Sequence, residues 1–114
     1  MKNAAEIRNG LAHCYGTENY WKNAALNFQY TDGVKYLHES CEAYWLLTAI
    51  SSYRKTEPFQ IWELVKNGNT AVLTMKEDSD QPELVNQKIP FTDFPLEGIK
   101  LYLIDGILLL TSEY

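Results

Sequence analysis

Thiol chemistry is scarce in this chain: Cys14 and Cys41 are its only cysteines. Two cysteines give no disulfide framework, and a fold of this size has to hold together by packing alone. Clustered positive charge is also missing. Ten basic residues are set against fifteen acidic ones, for a net charge of −5, and no basic run occurs. Non-specific nucleic-acid binding draws on clustered Lys and Arg, so no nucleic-acid partner is expected. The longest strongly apolar run, 101–110, is broken by Asp105-Gly106 and is too short to span a bilayer, which excludes a membrane-spanning role. The opening Lys2-Asn3-Ala4-Ala5-Glu6 puts charge and polarity where a secretory leader needs an apolar core, so a cytoplasmic protein is expected. There is no nucleophile elbow, phosphate-binding loop, dinucleotide fingerprint or zinc-protease helix, and no cofactor is expected. No repeat or linker divides residues 1–114, which read as a single domain.

Aromatic residues, by contrast, are abundant. Eight Tyr, three Trp and four Phe stand in a chain that is 46% hydrophobic, enough to build a core and well clear of disorder. A domain of this length buries roughly two-thirds of its unfolded surface. The rest of the chain is organised around Tyr30–Tyr53. Thr31 or Asp32 can cap a helix there, and nothing obvious breaks it before the Ser51-Ser52 region and Pro58. Val34, Leu37, Cys41, Tyr44, Trp45 and Thr48 share one face; Tyr36, Ala43, Leu46, Leu47 and Ile50 share roughly the opposite one. A helix apolar on two sides is covered on two sides. Trp45, in mid-helix, is expected to be the energetic centre.

Residues 3–15 place Ala4, Ile7, Leu11 and Cys14 at helical spacing, with Lys2, Glu6, Arg8, Asn9 and His13 facing away. Gly10 weakens that helix by about 1 kcal/mol relative to Ala, and Gly16 ends it. After Pro58 the period becomes two. Strands are expected at 59–65 and 70–75, joined by an Asn67-Gly68 type I′ turn, and at 84–91 after the polar turn 78–83. Two more, 99–104 and 107–110, flank a second such turn at Asp105-Gly106. These last two are apolar on both faces and should lie centrally or be covered on both sides. The expected fold is α+β: an antiparallel sheet of four or five strands, with one long central helix packed on a face and a short N-terminal helix.

Several segments together resemble a known family: GTENYW (16–21), YTDGVKYL (30–37), AYWLLTAI (43–50), FQIW (59–62), TDFP (92–95) and LLLTSEY (108–114). They are similar to a family of small bacterial proteins catalogued as a domain of unknown function. The chain departs from the family pattern at His38, Cys41 and Thr111. The resemblance implies a shared fold and brings no activity, cofactor or catalytic residue with it.

Four groups of residues could carry function. Tyr20, Trp21 and Tyr30, in the aromatic-rich stretch 15–30, form a possible ligand or partner surface, weighed against the plainer reading that these rings cover the core. Asp32, His38 and Asp93 are weak candidates for acid–base catalysis, although no spacing brings them together. His13-Cys14 and His38-x-x-Cys41 supply zinc-type ligands, but adjacent helical residues diverge by about 100°, so no metal is expected. Tyr30-Thr31-Asp32 and Phe91-Thr92-Asp93 repeat one pattern where the chain turns, which local Asp–backbone bonding explains. The function expected is a small interaction or binding module without catalytic activity, a homodimer with an unidentified protein or small-molecule partner. The alternatives are a small enzyme with an aromatic-walled cleft, and a self-assembling structural protein if a final strand is an open edge.

Overall fold

A computed structural model describes residues 3–53 and 57–114. Among these described residues three short helices, α1 (Ala4–Ala12), α2 (Asp32–Ser40) and α3 (Tyr44–Ser52), accompany seven strands. The strands are β1 (Tyr20–Lys22), β2 (Gln29–Thr31), β3 (Phe59–Asn67), β4 (Thr70–Lys76), β5 (Val85–Ile89), β6 (Gly98–Ile104) and β7 (Ile107–Leu110), followed by a 3₁₀ turn, Thr111–Glu113. They form one sheet in the order β1-β2-β7-β6-β3-β4-β5. All neighbours are antiparallel except β2 and β7, which are parallel.

This corrects the expected fold in two respects. The sheet has seven strands and is mixed, because β1 and β2, three residues each, add to its β7 side. Three residues are too few to display a period, and every residue of β1 is exposed. The one long helix is in fact two. Glu42 adopts φ of 50°, and the amides of Glu42 and Ala43 bond the carbonyls of Glu39 and His38. These two bonds form a Schellman stop, whose left-handed position is normally Gly or Asn. With Glu there the sequence carries no stop signal. The break turns Leu46, Leu47 and Ile50 onto the core beside Val34 and Leu37, so one sheet face receives apolar groups that a straight helix would point two ways.

Other features follow the sequence pattern. Asn3 caps α1 by accepting from the Glu6 amide at 2.9 Å, and Thr31 caps α2 by accepting from the Val34 amide at 3.3 Å. Lys2, expected on the polar side of α1, lies outside the described residues. β6 and β7 are interior strands, as their two-faced apolarity requires. Asp105 and Gly106 both have positive φ, 49° and 80°, as a type I′ turn demands. The first hairpin differs. Asn67 pairs with Thr70, so its turn is Gly68-Asn69, and only Gly68 has positive φ, the type II′ pattern.

One sheet face packs against the helices. Trp62, Leu64, Leu73, Met75, Leu101, Leu108 and Leu110 are buried there under α2 and α3. Trp62 is only 1% exposed, and its indole N–H donates to the buried Gln60 Oε1 at 2.8 Å. Trp45 is not the centre of this core. It is half-buried at the rim, edge-on to Phe94 with ring centroids 6.4 Å apart.

Gly10 has a reason to be glycine. A methyl group there would meet the ring of Tyr36, whose hydroxyl lies within hydrogen-bonding range of the Glu6 carbonyl at 3.5 Å. Gly10→Ala should therefore lower the melting temperature even though Ala improves helix propensity. The double variant with Tyr36→Ala should recover the helix-propensity gain of about 1 kcal/mol relative to Tyr36→Ala alone.

Candidate functional site

The structure divides the three candidate surface aromatics between two sheet faces: Trp21 and Tyr30 are cross-strand partners on the helix side, and Tyr20 lies on the other. Tyr20 is 57% exposed on the sheet face away from the helices. Trp21 lies at the helix side of β1, where its Nε1 donates to Asp32 Oδ1 at 2.8 Å and Lys35 Nζ sits 4.7 Å from its ring centre. Tyr30 is in the core, 7% exposed and edge-on to His38.

The candidate catalytic residues are apart. Asp32 accepts from Trp21 and from the amides of Glu18 and Asn19, and these bonds hold its carboxyl below the ordinary range. It thus ties the 17–21 segment to the start of α2. His38 lies between Tyr30 and Tyr44, with ring centroids 5.5 and 5.4 Å away. Asp93 is exposed on the β5–β6 connection, next to the loop where the Thr92 amide meets the Asn69 carbonyl. In both Thr-Asp repeats the threonine, not the aspartate, does the local capping: Thr31 receives Val34 N–H and Thr92 receives Phe94 N–H at 3.1 Å.

The zinc-type residues are dispersed. Among the described residues no group of three His, Cys, Asp or Glu side chains is gathered for a metal. His13 is exposed and within 2.7 Å of the Asn9 carbonyl, while Cys41 is buried, its thiol pushed up to about 11 by desolvation.

Burial lowers the His38 pKa, and its Nε2 and the Tyr44 hydroxyl are buried with no hydrogen-bond partner among the described residues. Because the folded state disfavours the imidazolium, the unfolded chain binds the proton first as pH falls. The neutral ring's contribution is present above the ordinary value of about 6.5 and is lost as pH drops through that value towards the lowered one. Thermal melts between pH 7.5 and 5.5 should show a steeper loss of stability for the wild type than for His38→Phe. Parallel slopes would show that His38 does not govern this range.

The largest organised feature is one the sequence reading missed as a unit. Cross-strand partners share a face. On the face away from the helices, Phe59, Ile104 and Ile107 make one row across β3, β6 and β7, and Ile61, Tyr102 and Leu109 make the next. All six are only half-buried. This block of two rows by three strands covers roughly 200 Å² in projection. Tyr114 extends it, its ring 6.1 Å from that of Phe59 and 5.3 Å from that of Tyr102. On the β7 side the block runs into a pocket of about 320 Å³ walled by Tyr20, Thr31, Ile107, Leu109 and Glu113. Towards its other end, Glu63 and Lys100 are cross-strand neighbours, and beyond them Val65, 50% exposed, pairs with Val72. The alternation of 59–65 was visible in sequence, whereas 99–104 and 107–110 read as apolar on both faces. What was missing was the register that aligns the outward residues, together with the fact that all the helices lie on the other side.

Such a surface belongs to a class of small α+β domains with one sheet face clad in helices and one left open. Within that class the chain belongs to a family of unknown function, DUF6876, whose model matches residues 5–114. No curated protein and no solved structure matches it. No described helix is long and apolar enough to cross a membrane.

Proposed function

We propose that the protein is a non-catalytic interaction module that works as a homodimer, two copies packing face to face through their open sheet surfaces. The observation that carries this reading is the block formed by Phe59, Ile61, Tyr102, Ile104, Ile107 and Leu109, apolar, in register and without helical cover. A contiguous exposed apolar patch is a mark of an association surface. Size supports a second copy as the occupant. A seven-strand face with a strand spacing of about 4.8 Å and a length of about 20 Å projects roughly 600 Å², close to the ~800 Å² per partner of a stable interface. Charge supports it too. The Glu63–Lys100 row carries both signs side by side, so a copy related by a two-fold axis running between them meets each charge with its opposite. The pairing leaves no role for Asp32, His38 or Asp93 beyond the contacts already described. β6 and β7 are interior, which removes the open final edge on which the self-assembly alternative depended.

The test is sedimentation of wild type, Ile61→Lys and Ile107→Lys at micromolar concentration. The wild type should run at twice the chain mass and both variants at the chain mass, with unchanged far-ultraviolet circular dichroism. A wild type that is monomeric throughout, or variants that stay dimeric, would overturn the proposal.

A further inference from the structure

We infer that the groove between α3 and the edge strand β5 binds an extended polypeptide, added as an eighth strand antiparallel or parallel to β5, with an acidic side chain beside Lys88. The inference deepens the interaction-module reading by naming a partner class, and it uses the outer edge of β5 and the recess beside α3, which adjoin the proposed dimer face at Lys88.

Three observations carry it. First, β5 is the terminal strand on the β4 side, and among the described residues no strand pairs with its outer edge. The donors and acceptors along a strand edge repeat at a spacing that only another extended backbone matches, so the edge itself specifies the chemistry of its occupant. Second, the edge is roofed on one side. Trp45, Thr48, Ala49 and Ser52 lie at i, i+3, i+4 and i+7 along α3, away from the buried Leu46, Leu47 and Ile50, and with residues 87–90 they border an open groove of about 500 Å³. That volume lies in the range of roughly 300–1,000 Å³ in which ligand groups are held. Its walls are mainly apolar, with Trp45 fixed edge-on against the buried Phe94 and Ile89 packed against the core. An edge strand beside a helix gives backbone pairing on one side and a recess for alternate side chains on the other.

Third, charge selects among strands. Lys88 pairs with Val72, so its side chain stands on the open-face side of the edge strand, cross-strand to a residue that an added strand would place there. A second copy pairing edge to edge about a two-fold would bring two Lys88 ammonium groups onto one short ladder, and a lysine on an edge is the usual device against such self-pairing. A strand carrying Asp or Glu at that position meets attraction instead. Pro90, with no N–H to give, marks the end of the usable edge.

The experiment is selection of a phage-displayed library of random decapeptides on the immobilised full chain. Ala49→Arg, which fills the recess, serves as the counter-target. Enriched peptides should alternate apolar and polar residues and carry an acidic position. The synthetic winner should shift the amide resonances of residues 85–90, bind at least about tenfold more weakly to Ala49→Arg, and lose binding when its alternate amides on the pairing edge are N-methylated. Lys88→Glu, which does not fill the groove, should reverse the preference towards basic peptides. No enrichment over the counter-target, winners indifferent to both variants, or amide shifts outside α3 and β5 would overturn the inference. So would a wild type whose dimer, rather than peptide binding, is lost in Ala49→Arg. The Ile61→Lys chain separates the two readings: it should be monomeric and still bind the selected peptide. If it remains dimeric but binds peptide, the sheet-face dimer is wrong and the groove stands.

Discussion

Trp62→Ala is expected to leave the domain largely unfolded at 25 °C. Trp62 is 1% exposed at the middle of β3, in register with Leu101 on β6 and Met75 on β4, with the Tyr53 ring 5.8 Å away. Truncation removes the transfer energy of an indole and leaves a cavity beneath the helices, a loss of about 3–5 kcal/mol. It also removes the hydrogen bond that the indole N–H gives the buried Gln60 Oε1, a further loss of about 0.5–1.5 kcal/mol. Against a total stability of about 5–15 kcal/mol, these losses consume most of the margin. Trp45→Ala should cost much less, about 1–2 kcal/mol, because a half-buried ring at the rim gives up fewer contacts and its space opens to solvent. Urea denaturation of both variants decides the ranking. A Trp45→Ala chain less stable than Trp62→Ala would return the centre of the fold to α3.

The contrast between these two tryptophans shows what the sequence could and could not reveal. Periodicity places Trp45 on an apolar stripe with Leu37 and Cys41, and on one continuous helix that stripe would face the sheet. The Schellman stop at Glu42 rotates α3 relative to α2 and turns Trp45 to the rim. No local preference announces that stop, because Glu gains nothing from the left-handed region. It is held there by the tertiary burial of Ala43, Leu46 and Leu47. The strands at 59–65 and 70–75 were legible because alternation is a local property, and those at 99–104 and 107–110 because the backbone demands of the Asp105-Gly106 turn between two apolar runs are local too. The pairing of β2 with β7 joins segments nearly eighty residues apart and rests on two partnered positions, Gln29 with Ile107 and Tyr30 with Leu108. The candidate dimer face has the same character. Each of its residues could be read as outward-facing or inward-facing until the helices took the other side.

Glu113→Ala should destabilise the chain by about 2–3 kcal/mol, the worth of a carboxylate holding several charge-assisted hydrogen bonds in a half-buried site. Glu113 accepts from the Thr31 hydroxyl at 2.6 Å, the Gly33 amide at 3.2 Å and the Leu110 amide at 2.9 Å. Two of these groups belong to the first turn of α2 and its cap, where a negative charge is favoured by the helix dipole. The same side chain therefore caps a helix and pins the C-terminal turn against it. Glu113→Gln should recover only part of the loss, since its amide turns a donor towards another donor and the charge is gone. Gly33 makes room for this anchor: a methyl group there would stand 2.6 Å from both Glu113 Oε1 and Leu110 Cδ1. Gly33→Ala should thus act by dislodging Glu113, and the double variant should cost at least 1 kcal/mol less than the sum of the singles, a coupling on the order expected for groups in direct contact. Strict additivity would mean that Gly33 and Glu113 act separately. The anchor also sets the position of Tyr114, whose ring lies against Phe59 and Tyr102 at the margin of the open face. Glu113→Ala should therefore weaken the proposed dimer in sedimentation at concentrations where the monomer is still folded, and Tyr114→Ala should reproduce that weakening with little change in stability. If Tyr114→Ala dimerises as the wild type does, the interface ends at the strands and excludes the tail.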